Sequence, residues 1–182
     1  MKTFIAVTFI GILTYTCATW VGSNECKNDV KPMEYFDTTK FFNGKWYVTH
    51  YKNLTGDSIC QTYETSKPTD NKYVVEYKFG NEEQEIKVRC EAGKGEDKIL
   101  SFICTINGET AFQADYVAMG TDYDDYAVFY RCVTFESSGY QDDNYLLLRR
   151  KEGEKEIPEC AKRLTSSLGL QECRDPTNSC LK

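Results

Sequence analysis

Few side chains in this sequence have catalytic potential. Its one histidine is His50, and its neighbouring carboxylates include Asp124-Asp125 and Asp142-Asp143. Paired carboxylates can perform acid–base chemistry, but both pairs fall in or beside predicted loops, where solvated turn residues are expected. The sequence also lacks the motifs G-x-S-x-G, H-E-x-x-H and G-x-x-x-x-G-K-[ST]. We therefore predict a protein that is not an enzyme and that needs no cofactor.

The first 18 residues have the features of a secretory signal peptide. Lys2 supplies a positive start, residues 4–13 form an apolar run, and small residues near 16–18 offer a cleavage site. The run is shorter than the roughly 20 residues that a membrane span needs. We predict a secreted protein with no membrane attachment, whose mature chain is a single domain of residues 19–182.

The cysteines form the other reactive group, and their number indicates disulfides. Nine are present, of which Cys17 lies in the predicted signal peptide. The even number that remains in a secreted chain indicates a disulfide framework, although many connectivities are compatible with it. The chain contains no C-x-x-C pair, so we predict no metal site. The remaining cysteines are Cys26, Cys60, Cys90, Cys104, Cys132, Cys160, Cys173 and Cys180.

The charge of the chain argues against some classes of partner. Loss of residues 1–18 removes only Lys2 and takes the formal net charge from −6 to −7. A strongly basic groove for nucleic acid is not expected in such a chain. An acidic surface instead favours basic partners, although solubility explains it equally well.

Eight short segments with strand character follow one another from residue 45 onward. In residues 72–79, Tyr73, Val75 and Tyr77 share one face, and mostly charged residues lie on the other. Asn107-Gly108 is a strong hairpin signal. This spacing predicts an all-β protein, either a sandwich or an antiparallel up-and-down barrel. The segments are residues 45–52, 59–66, 71–80, 84–93, 97–106, 110–119, 125–135 and 143–151.

The end of the chain has a different pattern. Residues 157–169 carry apolar side chains at helical spacing, with Pro158 suited to the start of a helix and Gly169 to its end. The predicted order is a polar lead, eight strands, one C-terminal α-helix and a tail. A closed barrel of eight strands would have an interior wide enough for one small ligand.

Three motifs resemble the signatures of the lipocalins. Gly44-Lys45-Trp46 is a G-x-W at the start of the first strand, and residues 121–123 form a T-D-Y before the seventh. Arg149 or Arg150 matches the third motif, and we assign Arg149. The resemblance implies that Trp46 lies across the closed base of the barrel, with the basic side chain packed over its ring.

The resemblance extends to a narrower family. The lead, the segment TDYDDYAVFYRC and the cysteine placement are similar to the triabin-type salivary lipocalins of blood-feeding triatomine bugs. This implies an eight-stranded antiparallel lipocalin barrel with a C-terminal helix, stapled by disulfides. The implied pairs are Cys26–Cys132, Cys60–Cys173 and Cys90–Cys104, which leave Cys160 and Cys180 to pair with each other.

Alternation from Trp46 through Val48 predicts that His50 points into the barrel. An inward imidazole could contact a ligand or carry haem, or it could be a hydrogen-bonded interior residue with neither role. The nitrophorins, similar bug salivary lipocalins, bind haem through an interior histidine that is not on the first strand, so we predict no haem. The candidate ligand-binding residues of the interior are His50, Tyr77, Tyr116 and Tyr126.

Aromatic walls with hydroxyl tips suit a lipid mediator or an amine. A lipid carboxylate would require an inward arginine or lysine, and an amine would require an inward aspartate or glutamate. Asp115 and Arg131 lie in predicted strands, but the sequence leaves their facing open.

Loop residues supply candidates for the outer surface. The acidic side chains that could meet a basic partner, or simply solvate turns, are Asp57, Asp122, Asp124 and Asp125. Asn53-Leu54-Thr55 is a glycosylation sequon in the predicted first loop. We predict a glycoprotein with a glycan at Asn53.

Two hypotheses for function follow. In the first, this monomeric salivary lipocalin impairs host haemostasis by binding a host protein of the coagulation or contact (kallikrein–kinin) system through its outer surface and loops. In the alternative, the barrel sequesters a platelet agonist or inflammatory mediator, either a thromboxane-type lipid or a biogenic amine. The first makes the protein a coagulation inhibitor, and the second an inhibitor of platelet aggregation.

Overall fold

The computed structural model describes residues 25–54, 59–69, 71–79, 85–93 and 98–174. The predicted signal peptide, Asp57 and Cys180 lie outside these residues. No helix in the described ranges is long and apolar enough to cross a membrane.

Eight long strands form the body of the protein, with a short helix before the first and another after the last. The predicted eight-stranded antiparallel barrel with a C-terminal helix is confirmed. The elements are α1 (Thr38–Phe41), β1 (Gly44–Tyr51), β2 (Thr62–Thr69), β3 (Lys72–Phe79), β4 (Ile86–Gly93), β5 (Ile99–Ile106), β6 (Glu109–Thr121), β7 (Tyr126–Phe135), β8 (Gln141–Arg149), α2 (Glu159–Thr165) and β9 (Gln171–Glu172).

The strands pair in chain order, and β1 pairs with both β8 and β2, which closes the barrel. We call the end that holds α1 and the start of β1 the floor. The opposite end, which holds the β5–β6 hairpin and the β7–β8 connection, is the mouth. Each strand directs alternate side chains into the barrel, because the side-chain period of a strand is two.

Aromatic rings fill the interior near the floor. Phe41 stacks on Trp46 with ring centroids 4.9 Å apart, and it also contacts Phe42 and Phe129. Trp46 is completely buried. The cavity left among these rings has a volume of about 20 Å³, enough for about one water molecule. The floor half of the barrel is therefore a packed core.

The C-terminal part of the chain covers the outside of the barrel. Ala161 of α2 packs on Val128 and Leu147, which face outward. The helix approaches β6 so closely that a Cβ atom at Gly120 would overlap with the side chain of Leu164. Glycine at position 120 thus allows α2 to lie flat on the sheet.

The seam between β1 and β2 is completed by the residues that follow α2. Strand β9 pairs with the end of β1, and the amide of Cys60 donates to the carbonyl of Arg174 over 2.8 Å. The second strand consequently begins at Thr62 rather than at the predicted residue 59, because residues 59 and 60 bond to this C-terminal segment. A disulfide joins Cys60 to Cys173 at the same place.

Two further disulfides lie in the described residues. Cys26–Cys132 fastens the N-terminal lead to the outside of β7. Cys90 and Cys104 face each other across β4 and β5 and are bonded inside the barrel. These three pairs are the ones that the family resemblance implies. Cys160 is exposed on α2, and its predicted partner lies outside the described residues.

Candidate functional site

His50 lies on the outer face of the barrel. The β1–β8 register shifts between Val48 and His50, which marks a β-bulge. Val48 and Tyr51 both belong to the interior cluster although they are three residues apart. His50 instead pairs with Leu147, which packs on the outside beneath α2. The predicted inward facing of His50, and with it its place among the interior candidates, is therefore wrong, because the extra residue at the bulge reverses its facing.

The imidazole of His50 is buried at this outer position. Its Nδ1 lies 3.0 Å from the hydroxyl of Thr49, and β9 places Glu172 directly opposite. Burial lowers the pKa of His50, and the positive charges of Lys155 and Arg149 act in the same direction, against the carboxylate of Glu172.

The predicted interior tyrosines divide between the two faces. Tyr77 and Tyr116 belong to the interior cluster and are almost fully buried. Tyr126 belongs to the outer cluster beneath α2, together with Ala161. Its predicted place in the ligand site is wrong, because Tyr126 has the same parity along β7 as the outward-facing Val128.

At the floor, Arg150 and not Arg149 packs on the tryptophan. Its guanidinium carbon lies 3.8 Å from the centre of the Trp46 ring. Arg149 follows the inward-facing Leu148, so it points outward, and it forms an ion pair of 2.9 Å with Asp125. The assignment of Arg149 to the barrel-floor motif is corrected by this alternation, while Gly44 and Trp46 keep their predicted places at the floor.

Hydrogen bonds of Arg150 fix the floor. The guanidinium donates to the carbonyls of Asn43, Lys45 and Tyr123 at 2.8, 2.9 and 3.1 Å. Gly44, between two of these residues, has a φ of 88°, a conformation that favours glycine. This backbone conformation explains why a glycine occupies the first position of the G-x-W motif.

The T-D-Y loop uses its acidic side chains within the fold. The Oδ1 atom of Asp122 accepts hydrogen bonds from the backbone amides of Asp124, Asp125 and Tyr126, at 3.2, 2.9 and 3.0 Å. Asp125 is paired with Arg149, as described above. Two of the four acidic candidates for partner binding are therefore engaged in holding the loop.

Asn53 of the sequon is exposed at the end of β1, and its Nδ2 donates to the carbonyl of Asp143 over 3.4 Å. Thr55 of the sequon lies outside the described residues. Glycosylation of Asn53 stays a prediction.

Arg131 on β7 is a cation that faces the interior. Its neighbours along the chain, Tyr130 and Cys132, belong to the outer cluster beneath the N-terminal lead. Phe129 and Val133, one step further on each side, belong to the interior cluster. Alternation therefore directs Arg131 into the barrel, in the half nearer the mouth.

Tyrosines surround this guanidinium. Its electrostatic neighbours are Tyr51, Tyr63, Tyr77 and Tyr116, all of them interior residues. Burial raises the pKa of Tyr51, Tyr77 and Tyr116, so these phenols are neutral at physiological pH. The positive charge of Arg131 therefore has no counter-charge among these rings.

Arg131 also lacks hydrogen-bond partners. Its buried Nε atom bonds to no group of the described residues, and no ion pair or hydrogen bond from its other nitrogens is formed there either. Arginine carries five N–H donors in a planar fork that matches a carboxylate. The guanidinium of Arg131, with N–H donors that face the barrel interior and are free of partners in the described residues, can therefore bind an anion.

Asp142 on β8 is a carboxylate that faces the interior. It pairs with the interior residue Val133, and so it faces inward, while Asp143 faces outward and forms an ion pair of 3.6 Å with Lys27. The prediction that this pair of aspartates is a solvated turn is wrong, since both lie in β8. Asp115 lies between two interior residues and faces outward. In the described ranges, no cluster of three or more histidine, cysteine or acidic residues could hold a metal.

The closed barrel, the tryptophan at its floor and the interior polar site define a lipocalin, which is a binding-protein fold. A family model described as Triabin matches residues 17–163. The chain belongs to the Triabin family.

Known relatives agree with this assignment. The chain is 36% identical over 176 residues to Procalin of Hospesneotomae protracta, covering 95% of this chain and 99% of that protein. It is 36% identical over 151 residues to Triabin of Meccus pallidipennis, covering 82% and 92%. It is also 38% identical over 170 residues to Dimiconin of Triatoma dimidiata, covering 88% and 83%.

Solved structures with this fold include ligand complexes. LTBP1, in its complex with LTC4, is 27% identical in sequence to this chain and superposes with a TM-score of 0.61. The match covers 80% of this chain and 90% of the LTBP1 chain. The tryptamine complex of the amine binding protein of Rhodnius prolixus is 21% identical with a TM-score of 0.60, covering 79% and 83%. The second likeness shows the fold alone.

Proposed function

We propose that this chain is a secreted salivary lipocalin that impairs host haemostasis by sequestering an anionic lipid mediator of the thromboxane or leukotriene type in its barrel. Residues 1–18 are proposed as its signal peptide and 19–182 as the mature domain. The observation that carries the proposal is Arg131, a cation directed into the barrel with no partner among the described residues.

Arg131 is half-buried, and its Nε–H group is buried without a hydrogen-bond partner among the described residues, so the desolvation of that group is not offset. A ligand carboxylate offers an ion pair and hydrogen bonds to the guanidinium of Arg131, in a bidentate geometry. The surrounding tyrosine rings supply apolar walls for a lipid chain and hydroxyl groups for its polar substituents. The interior thus combines the features of a site for an acidic amphiphile.

The outward facing of Asp115 removes one of the residues that would have favoured an amine. A lone amine would also bring its positive charge towards Arg131. The likeness to LTBP1, which was crystallised with leukotriene C4, supports a lipid ligand in a barrel of this type.

The alternative is a host protein of the coagulation or contact system bound at the outer surface. Asp122 and Asp125 contribute less to that hypothesis than the sequence predicted, because their carboxylates already bond within the T-D-Y loop. Asp124 and Asp57 remain its candidates.

Calorimetric titration of the disulfide-bonded protein with a stable thromboxane analogue, leukotriene C4 and serotonin tests the proposal. We expect one-to-one binding of at least one lipid with a Kd below about 1 μM, or about −8 kcal/mol. The substitution Arg131→Met should weaken that binding about a hundredfold, because the charged hydrogen bonds are lost. Serotonin should give no heat.

The matched control is Arg89→Met. Arg89 is exposed on β4 and ion-paired with Glu76 and Glu91, so its loss should leave lipid affinity unchanged. Equal lipid affinity of Arg131→Met and the unsubstituted protein contradicts the proposal, as does the absence of heat from both lipids. Binding of thrombin, factor XII or kininogen in that case supports the surface hypothesis.

A further inference from the structure

Asp142 brings a negative charge to the same interior wall as Arg131. Across β7 and β8, Arg131 pairs with Asn144, and Val133 pairs with Asp142. Asp142 is thus the diagonal neighbour of Arg131 on its mouth side, at a backbone separation of about 7–8 Å in an antiparallel pair. Both side chains face the interior.

The two opposite charges do not satisfy each other directly. In the part of the chain that is described, Asp142 makes no hydrogen bond or ion pair through its carboxylate, and Arg131 makes none through its guanidinium. Burial raises the pKa of Asp142, against the opposing effect of Arg131 and with a further contribution from Asp143. A cation and a carboxylate therefore share one wall but remain apart.

We propose that the head group of the barrel ligand carries both a carboxylate and an ammonium, as in an α-amino acid joined to an apolar chain. Arg131 binds the carboxylate, and Asp142 binds the ammonium. This inference rests on the proposed function, since it refines the class of lipid that the site accepts.

Charge complementarity distinguishes this head group from simpler ones. A fatty acid would satisfy Arg131 but bring a like charge towards Asp142. An amine would satisfy Asp142 but bring a like charge towards Arg131. A zwitterionic head group would pair both charges and add no net charge to the interior.

Leukotriene E4 and N-acetyl leukotriene E4 form a suitable pair of probes, because acetylation removes the ammonium and retains the carboxylates. We expect the disulfide-bonded protein to bind leukotriene E4 at least about tenfold more tightly than the acetylated form, the ratio expected for one charged hydrogen bond. In Asp142→Asn this preference should disappear, and in Asp142→Glu it should persist. Arg131→Met should weaken binding of both probes.

Asp143→Asn is the control, because Asp143 is the adjacent aspartate on the opposite face of β8. It should leave the preference unchanged in folded protein, as judged by circular dichroism. Equal affinity for the two probes, or a preference that survives in Asp142→Asn, overturns this inference while tight binding that depends on Arg131 still supports the proposed function. Failure of both probes and of the lipids tested above overturns both proposals.

Discussion

Two arginines of this barrel have aromatic residues nearby, yet their surroundings differ. Arg150 stacks over Trp46 at the floor and donates to the carbonyls of Asn43 and Lys45. Arg131 lies among interior tyrosines and bonds to none of the described residues. The residue type is the same, but only the second guanidinium has donors available. The number of hydrogen bonds that each guanidinium makes within the protein therefore distinguishes a structural arginine from one suited to binding a ligand.

The two halves of the barrel show the same contrast. Phenylalanine rings pack the floor half around Trp46, and the cavity of about 20 Å³ beside them is lined by Tyr63 and Tyr116 as well. The half nearer the mouth holds Arg131, Asp142 and tyrosine hydroxyls. We infer that the floor contributes stability and the mouth half contributes binding, and the substitutions below test that division.

The largest effect on stability is expected at the floor. Arg150→Met should lower the free energy of unfolding by about 2–4 kcal/mol, because it leaves several backbone carbonyls without their charged donor. Urea unfolding of the disulfide-bonded protein, followed by tryptophan fluorescence, measures the loss. Arg163→Met, at an exposed position of α2, should change stability by less than about 0.5 kcal/mol.

The T-D-Y loop should show an intermediate effect. Asp122→Ala removes the acceptor of three backbone amides and should destabilise the protein by about 1–2 kcal/mol. The same unfolding measurement applies, with Asp124→Ala as the adjacent control. Equal effects of the two substitutions would show that Asp122 does not hold the loop.

The interior arginine should give the opposite sign. Arg131→Met replaces an unpartnered charge by an apolar side chain, so stability should be unchanged or higher by up to about 1 kcal/mol. The urea midpoint in the absence of lipid measures this. A loss of stability as large as that of Arg150→Met would mean that Arg131 is part of the structural framework, and the contrast between the two would disappear.

The smallest effect concerns pH. Because the pKa of His50 is below its ordinary value of 6.5 in the folded state, the unfolded chain binds more protons just below pH 6.5. This contribution therefore lowers stability as pH falls through that value. Between about pH 7.5 and about pH 5.5, His50→Gln should lose less stability than the unsubstituted protein. An identical loss would contradict the assigned pKa direction.

Much of the fold could be predicted because its signals are local. The period-two alternation of residues 72–79 and the Asn107-Gly108 turn lead directly to strands and a hairpin. Trp46 could be placed at the floor through the family resemblance.

The predictions for the candidate site are wrong where the facing of a side chain depends on residues that are distant in the sequence. The bulge that turns His50 outward is not visible in the residues around it. The facing of Arg131 depends on which of its neighbours along β7 pack outside the barrel, and this is set by the packing of Tyr130 and Cys132 under the N-terminal lead. The sequence predicts a turn at Asp142, whereas β8 begins at Gln141, earlier than its apolar residues suggest.

The seam closed by β9 also bears on how the protein is made. The bonds Cys26–Cys132 and Cys60–Cys173 span 106 and 113 residues, so each must wait for a late part of the chain. Contacts of such separation form slowly, and strand edges stay unpaired until they do. A nascent chain that has not yet emerged from the ribosome as far as Cys173 has an unsealed wall beside β1. Sealing of the barrel is therefore among the last events of its biosynthesis.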